Sequence, residues 1–148
     1  QGNVSQDGPV AVDGTPADAL RLPVLGQVAA GRPIGADIGS DDYVLLDRVF
    51  FSPAPDYLLK VKGDSMRDAG IDDVDLVVID RSVNAKHGQI VVAVVDGEFT
   101  IKRLYKKRNQ VRLEAANPTY PNIELKDGQE LVIWGVVTWT LKKHSHGV

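Results

Sequence analysis

A serine and a lysine, in two separate stretches, are the residues whose types and surroundings favour chemistry. Ser65 lies in K-V-K-G-D-S-M-R-D-A-G-I (residues 60–71), where a strand pattern ends at Gly63 and a short helix is predicted to begin. Taken alone, such a serine is more commonly a helix N-cap than a nucleophile. As a nucleophile it would have two backbone N–H groups beside it, those of Ser65 and Met66, that could bind a developing oxyanion.

Lys102 is the candidate base for this serine. It stands in G-E-F-T-I-K-R-L (residues 97–104), a strand pattern in which Phe99, Ile101 and Leu104 are apolar. A lysine held among apolar side chains can lose its proton, and serine with a neutral lysine is a known pairing of nucleophile and base. Strict alternation, however, places Lys102 on the face opposite Phe99 and Ile101, so a solvated strand lysine is the competing interpretation.

Short strands must position both residues. Alternating or apolar runs predict strands over residues 22–28, 57–61, 75–80, 89–95, 97–104, 110–114 and 131–141. The strand 89–95 is continuously apolar after Gln89, which indicates burial on both faces, and Asp96-Gly97 is a hairpin signal that returns the chain as the Lys102 strand. Pro23 favours an edge position for the first strand. The predicted fold is therefore all-β, a compact domain of short, strongly bent strands with one short helix near Ser65.

Three ordered motifs resemble the self-cleaving C-terminal domain of the LexA repressor, in a family that includes the mutagenesis protein UmuD. The motifs are V-A-A-G (28–31), G-D-S-M-R-D-A-G-I (63–71) and T-I-K-R-L (100–104). The resemblance covers roughly residues 22–141. It departs at Val74, where the family usually has glycine, and a β-branched residue tolerates a turn with positive φ poorly.

The resemblance assigns roles to the residues of these motifs. It implies Ser65 as nucleophile, Lys102 as general base and the Ala30–Gly31 peptide bond as substrate, and it suggests that Thr100 orients the lysine. On sequence alone, the small residues around Ala30 read equally well as an ordinary loop. The implied reaction is intramolecular peptide hydrolysis by a Ser/Lys dyad, with the N–H groups of Ser65 and Met66 as the oxyanion hole.

The same resemblance implies a biological role. Cleavage would end repression of the SOS DNA-damage response, with the RecA nucleoprotein filament as stimulus, and the domain would form a homodimer. Operator DNA would be bound only through an N-terminal domain upstream of Gln1. Two alternatives are a UmuD-like accessory subunit of a translesion DNA polymerase, activated by the same self-cleavage, and a non-catalytic dimerisation module. The Ala-Gly bond favours the LexA-type repressor, since the UmuD bond is Cys-Gly.

Composition limits the domain organisation, the chemistry and the location that can be expected. Residues 1–21 are predicted to be a flexible linker and residues 22–148 the domain. A net charge of -3 gives no bulk attraction to nucleic acid, and the lack of cysteine excludes disulfides and thiolate chemistry. Without an apolar run of membrane-spanning length or a signal-peptide pattern, a cytoplasmic location is expected. Asp37, Asp41 and Asp42 lack the spacing of a calcium loop, so neither a metal site nor a cofactor is predicted.

Surfaces and turns give further expectations. The apolar run 131–141 predicts closing strands and part of a subunit interface, with Trp134 and Trp139 as anchors. The basic run 105–108 is interpreted as a solubilising hairpin tip and not as a nucleic-acid site.

Two expectations concern the turns on either side of the central motif. Residues 50–55 are expected to pack two aromatic side chains under the next strand. Asp73 and Asp75 are interpreted as solvent-facing turn residues and not as a catalytic carboxylate pair.

Overall fold

Short strands separated by turns build the architecture. The structure is a computed structural model that describes residues 16–26, 42–126 and 128–144. Its elements are β1 (Ala19–Leu25), β2 (Tyr43–Asp47), β3 (Tyr57–Lys60), a 3₁₀ helix (Arg67–Ala69), β4 (Leu76–Asp80), β5 (Ile90–Val95), β6 (Glu98–Lys107), β7 (Gln110–Glu114), β8 (Ile123–Glu124) and β9 (Leu131–Leu141). This content confirms the all-β prediction. The predicted scissile bond Ala30–Gly31 lies outside the described residues.

One sheet contains all nine strands, in the order β2-β1-β3-β4-β9-β5-β6-β7-β8. Neighbouring strands are antiparallel except β1 and β3, which are parallel. Strand β9 lies between β4 and β5. It therefore joins two groups of four strands, one that ends at β4 and one that begins at β5. Among the described residues, no helix has the length and apolar composition that a membrane span requires.

Strand β9 bends within the sheet. Its pairing shifts register opposite Val92 and Ala93 on one side and opposite Val78 and Ile79 on the other, as β-bulges do. Gly135 lies at this irregular part of the strand. A Cβ added there would clash with the side chain of Ile79 and lie 3.3 Å from the carbonyl oxygen of Asp80, so the close approach of β4 requires glycine.

The first strand differs from its predicted position. It begins at Ala19, before the predicted domain boundary after residue 21, and it is paired on both sides, so it is not an edge strand. Its first five residues pair with β2, whereas the pairing with β3 begins only at Val24. Pro23 therefore lies where β1 has a neighbour on one side only, a position that tolerates the missing N–H group.

Two tight turns connect β5, β6 and β7. Asp96 and Gly97 have φ angles of 49° and 86°, as a two-residue hairpin turn requires, which confirms the predicted hairpin before the Lys102 strand. Arg108 and Asn109 have φ angles of 51° and 64° and form the second turn. The basic run therefore lies at a hairpin tip, as predicted.

The core lies along β4 and β5, whose central residues are fully buried. The apolar run 89–95 is thus a buried strand, as predicted. Met66 and Ile71 pack in the same cluster as Val77 and Val92, so the loop that carries Ser65 is held against the sheet by apolar burial. Only one of the two aromatics expected under the next strand packs there.

That aromatic is Phe51, whose ring centroid lies 5.0 Å from the ring of Trp139. Phe50 is exposed, and the expectation that it would pack is wrong. Phe51 also packs against the buried cluster that contains Leu58 of β3, the next strand.

Val74 has a positive φ angle, the conformation that a β-branched residue tolerates poorly. Its φ is 66°, and its N–H donates to the Val61 carbonyl (2.9 Å) in a turn closed by the Asp75 N–H and the Asp72 carbonyl (3.1 Å). A left-handed conformation in a β-branched residue is strained by about 1–3 kcal/mol. The side chain is 63% exposed, so it recovers little of this cost by packing.

We expect Val74→Gly to raise the free energy of unfolding by about 1 kcal/mol, because relief of strain exceeds the roughly 0.5–1 kcal/mol of extra backbone entropy that glycine loses. Urea denaturation measures this difference. Val74→Ala is the matched control, since it removes the same exposed atoms but keeps the Cβ, and it should gain less than glycine. A glycine variant that is no more stable than the parent would show that the turn suits valine.

Candidate active site

The structure brings Ser65 and Lys102 into contact although they are 37 residues apart in the chain. Ser65 lies in the turn after β3, and Lys102 is in β6. The Lys102 Nζ lies 3.1 Å from the Ser65 Oγ, within hydrogen-bonding distance. The predicted short helix is present as one 3₁₀ turn, but it begins at Arg67, so Ser65 precedes it and does not lie in its first turn.

Lys102 is a buried lysine and not a solvated one. Only 8% of the residue is exposed, and this burial lowers the pKa of its ammonium group, because removal from water disfavours the charged form. A lowered pKa raises the fraction of neutral amine at neutral pH. Of the two interpretations of this strand position, the structure shows the one in which the fold covers the lysine.

Three oxygen atoms surround the Lys102 Nζ. Besides the Ser65 Oγ, they are the Thr100 Oγ1 at 2.6 Å and the Ile101 carbonyl oxygen at 3.2 Å. An ammonium group can donate one hydrogen to each of them. A neutral amine has two hydrogens and one lone pair, so it can donate to Thr100 and Ile101 and accept the hydroxyl proton of Ser65. The same three contacts therefore suit both the ammonium and the neutral amine.

A cleft opens over the two side chains. Its volume is about 320 Å³, which is at the lower end of the range for ligand pockets. Gly26, directly after β1, is one of the residues that line it. Ala30 follows Gly26 by four residues, and four residues span at most about 14 Å. The described part of the chain after β1 thus ends at the wall of this cleft, which Ser65 also lines.

The backbone at Ser65 and Met66 has N–H groups without a hydrogen-bond partner among the described residues. Within the described parts of the chain, the N–H groups of Ser65 and Met66 donate no hydrogen bond. Ser65 and Met66 both line the cleft. Two unused donors on consecutive peptide groups are what a tetrahedral oxyanion needs.

The acidic turn after Ser65 differs from the prediction in one residue. Asp73 is exposed, as expected, and its Oδ1 accepts the N–H of Gly63 at 2.7 Å. Asp75 is only 4% exposed, so its interpretation as a solvent-facing residue is wrong. It is buried because its carboxylate accepts the Asp72 N–H at 2.8 Å and pairs with the ammonium group of Lys142. The pKa of Lys142 is raised by its side-chain hydrogen bonds, of which the bond to Asp72 has the largest effect and the bond to Asp75 the next largest.

Two residues that the sequence did not indicate contact the loop that carries Ser65. Asn117 donates from its Nδ2 to the Asp64 carbonyl oxygen at 2.9 Å, and the Tyr120 hydroxyl donates to the Asp64 Oδ1 at 2.6 Å. Both lie in N-P-T-Y, which has neither strand nor helix periodicity. The only signal in the sequence is an asparagine before proline, and this pair marks turns of every kind.

Comparison with known proteins agrees with the geometry. The family model described as "Peptidase S24-like" matches residues 23–138. A LexA repressor of Stenotrophomonas maltophilia is 56% identical over 90% of this chain and 63% of that protein. A LexA repressor 2 of Xanthomonas axonopodis pv. citri is 58% identical over 84% of this chain and 59% of that protein. A LexA repressor of Xylella fastidiosa is 57% identical over the same shares of the two chains.

These relatives carry the name of the repressor and not that of the polymerase accessory subunit. The chain spans about three fifths of the length of the repressors it matches. The family model covers most of the chain, from within β1 to within β9, and so includes both Ser65 and Lys102. The chain therefore belongs to the Peptidase S24-like family of serine peptidases.

Proposed function

We propose that this chain is the self-cleaving portion of a LexA-type repressor and that it cuts its own Ala30–Gly31 bond with a Ser65/Lys102 dyad. The observation that carries this proposal is the 3.1 Å contact between the Ser65 Oγ and the Nζ of a buried Lys102. The contact lies in a cleft whose wall is formed in part by the chain that leads to Ala30. A structural serine needs no buried lysine beside it, whereas a nucleophilic serine needs a base.

The proposed reaction begins when the neutral amine of Lys102 accepts the Ser65 hydroxyl proton. The Ser65 Oγ then bonds to the carbonyl carbon of Ala30, and the N–H groups of Ser65 and Met66 stabilise the oxyanion. Collapse of this intermediate breaks the bond to the nitrogen of Gly31, which leaves as an amine with the proton from Lys102. Water, deprotonated by the same amine, hydrolyses the ester and restores Ser65.

Thr100 supports this chemistry by position. Its Oγ1 lies 2.6 Å from the Lys102 Nζ, so it holds the amine while the lone pair faces Ser65. Thr100 is therefore a positioning residue in the proposal.

The names of the relatives extend the proposal to biology. We infer that cleavage ends repression, that the RecA nucleoprotein filament favours the cleavable conformation, and that operator DNA is bound by a part of the protein other than this chain. The identity to several LexA repressors favours this role over that of a polymerase accessory subunit.

Incubation of the intact chain tests the proposal. We expect two products, residues 1–30 and residues 31–148, that intact-mass measurement identifies, and we expect faster formation with RecA filament. Because the reaction is intramolecular, the first-order rate constant should not change with protein concentration. A chain that stays intact with active RecA filament, or that is cut at another bond, would contradict the assignment.

We also propose that β9 forms part of a homodimer interface. Trp139 is 46% exposed and Val132 is also exposed, although both belong to the strand at the centre of the sheet. Trp134, the other predicted anchor, instead packs within the subunit, with its ring centroid 6.1 Å from that of Phe99 and the guanidinium of Arg81 4.4 Å above it. Trp139 is therefore the anchor that remains available to a partner.

Sedimentation equilibrium tests the dimer. We expect a dimer at tens of micromolar protein, as the apolar composition of β9 predicts, and we expect Trp139→Glu to weaken association at least about tenfold, because a carboxylate would have to be desolvated in the interface. Lys143→Glu, which also introduces a carboxylate, at an exposed residue just beyond β9, is the control. A parent chain that sediments only as a monomer would contradict the proposal.

A further inference from the structure

One segment binds the loop that carries Ser65, residues 64–68, which we call the nucleophile loop. This clamp segment, residues 115–120, follows β7 and is linked to residues 64–68 by four hydrogen bonds. Three of them bind backbone atoms of the loop. The Ala116 N–H donates to the Ser65 carbonyl (2.8 Å), the Ala116 carbonyl accepts the Asp68 N–H (2.7 Å), and the Asn117 Nδ2 donates to the Asp64 carbonyl (2.9 Å).

Two of these bonds fix consecutive peptide groups. A peptide group is planar and normally trans, so its C=O and N–H bonds point in opposite directions. The carbonyl of Asp64 shares its peptide group with the N–H of Ser65, and the carbonyl of Ser65 shares its group with the N–H of Met66. Because the clamp segment binds both carbonyls, both N–H groups must point away from it. They are the two donors assigned above to the oxyanion.

We propose that Asn117 is a positioning residue which, with the Ala116 N–H, sets the orientation of the two peptide groups that form the oxyanion hole. The inference rests on the proposed self-cleavage. Rotation of either peptide group by half a turn would direct a carbonyl oxygen at the oxyanion in place of an N–H, which would repel the developing charge. The clamp segment opposes this rotation, because rotation of either group would break its hydrogen bond to Ala116 or to the buried Asn117.

The surroundings of Asn117 suit this role. The residue is 4% exposed, and its side chain is bonded at both ends. The Nδ2 donates to the Asp64 carbonyl, while the Oδ1 accepts the N–H (3.1 Å) and the hydroxyl (2.9 Å) of Thr119. The two bonds from Thr119 determine which end of the amide faces the loop, since only the NH₂ end can donate to a carbonyl oxygen. An aspartate of the same shape could not make this bond.

Asn117→Ala in the full chain is the principal test. The variant keeps Ser65, Lys102 and their contact but removes the donor to the Asp64 carbonyl. We expect the rate of self-cleavage at the alkaline plateau to fall about 10²-fold, as for loss of one oxyanion donor. The pH at which the rate reaches half its plateau should not change, because this pH depends on Lys102. Thr119→Val, which removes only the hydroxyl bond to the Asn117 Oδ1, should retain nearly the parent rate.

The outcomes separate positioning from simple support of the fold. A lower plateau with an unchanged midpoint in a folded variant supports the proposal. An unchanged plateau overturns it, and so does a shifted midpoint, since this would place the effect on Lys102.

A measurement on the parent chain needs neither a stable variant nor activity. We expect an NMR scalar coupling across the hydrogen bond from the Ala116 nitrogen to the Ser65 carbonyl carbon, and a second from the Asn117 Nδ2 to the Asp64 carbonyl carbon. Absence of both couplings in the folded chain overturns the clamp. If the parent chain is not cleaved, the proposed function fails, while these couplings still decide how the two peptide groups are oriented.

Discussion

Substitution of Ser65 by alanine is expected to abolish self-cleavage and to leave the domain folded. The change removes the Oγ, whose hydrogen bond to Lys102 is the one described for this side chain, and the backbone N–H groups of the loop remain. Loss of a nucleophile in serine hydrolases lowers the rate by several orders of magnitude, so a fall of at least about 10³-fold is expected. Intact-mass measurement over a long incubation with RecA filament gives the rate, and circular dichroism verifies the fold.

Loss of the lysine should have an equally large effect. We expect Lys102→Ala to be inactive, and Lys102→Met to be inactive while it fills the buried volume better, so that the two variants separate chemistry from packing. Lys106→Ala is the matched control, because Lys106 is an exposed lysine of the same strand. Cleavage of Ser65→Ala or Lys102→Met at the parent rate would refute the dyad.

The rate of self-cleavage is expected to rise about tenfold per pH unit below the pKa of Lys102 and to level off above it. Only the neutral amine can accept the Ser65 proton, and its fraction grows tenfold per unit in that range. An ordinary lysine titrates near 10.4. Burial lowers the pKa of Lys102, so the rise should end at a lower pH than an exposed lysine would give. RecA filament should move the rise to still lower pH if it favours a state in which the docked loop covers the amine further.

The contribution of Lys102 to the free energy of unfolding should increase over the same pH range. Because the folded pKa of Lys102 lies below the unfolded pKa, the unfolded chain binds more protons between the two values. The contribution of this group to the free energy of unfolding therefore increases with pH there and is complete above the unfolded pKa. Titration of Lys102 alone thus gives no reason for the domain to unfold as the rate rises.

The rate profile itself tests the role of Lys102. A flat rate profile, or a rise that persists in Lys102→Met, would exclude Lys102 as the base.

The sequence predicted those parts of the fold that depend on local chemistry. Asp96-Gly97 indicated a hairpin because few residue pairs tolerate two positive φ angles, and the apolar run 89–95 indicated a buried strand. The contact between Ser65 and Lys102 did not follow from local pattern, since strand alternation favoured a solvated lysine. The resemblance to a family, and not periodicity, predicted that these two residues would meet.

Other features depend on partners distant in the chain. Asp75 reads as a surface residue until Lys142, 67 residues away, supplies the cation that pairs with it. Asn117 reads as part of a turn, and its importance depends on the carbonyl of Asp64, which lies 53 residues earlier. Pro23 favoured an edge strand because a sequence does not show on which side of a strand the next neighbour begins. Long-range pairing leaves no local pattern, so these contacts required the structure.

The place of β9 in the sheet sets an order of events during synthesis. Ser65 lies between β3 and β4, on one side of β9, whereas Lys102 belongs to β6, on the other side. Since β9 follows both residues in the chain, a growing chain contains Ser65 and Lys102 before it contains the strand that joins their two halves of the sheet. Until β9 is made, the growing chain lacks the framework that aligns Ser65 with Lys102, so the proposed self-cleavage would have to wait for the synthesis of this strand.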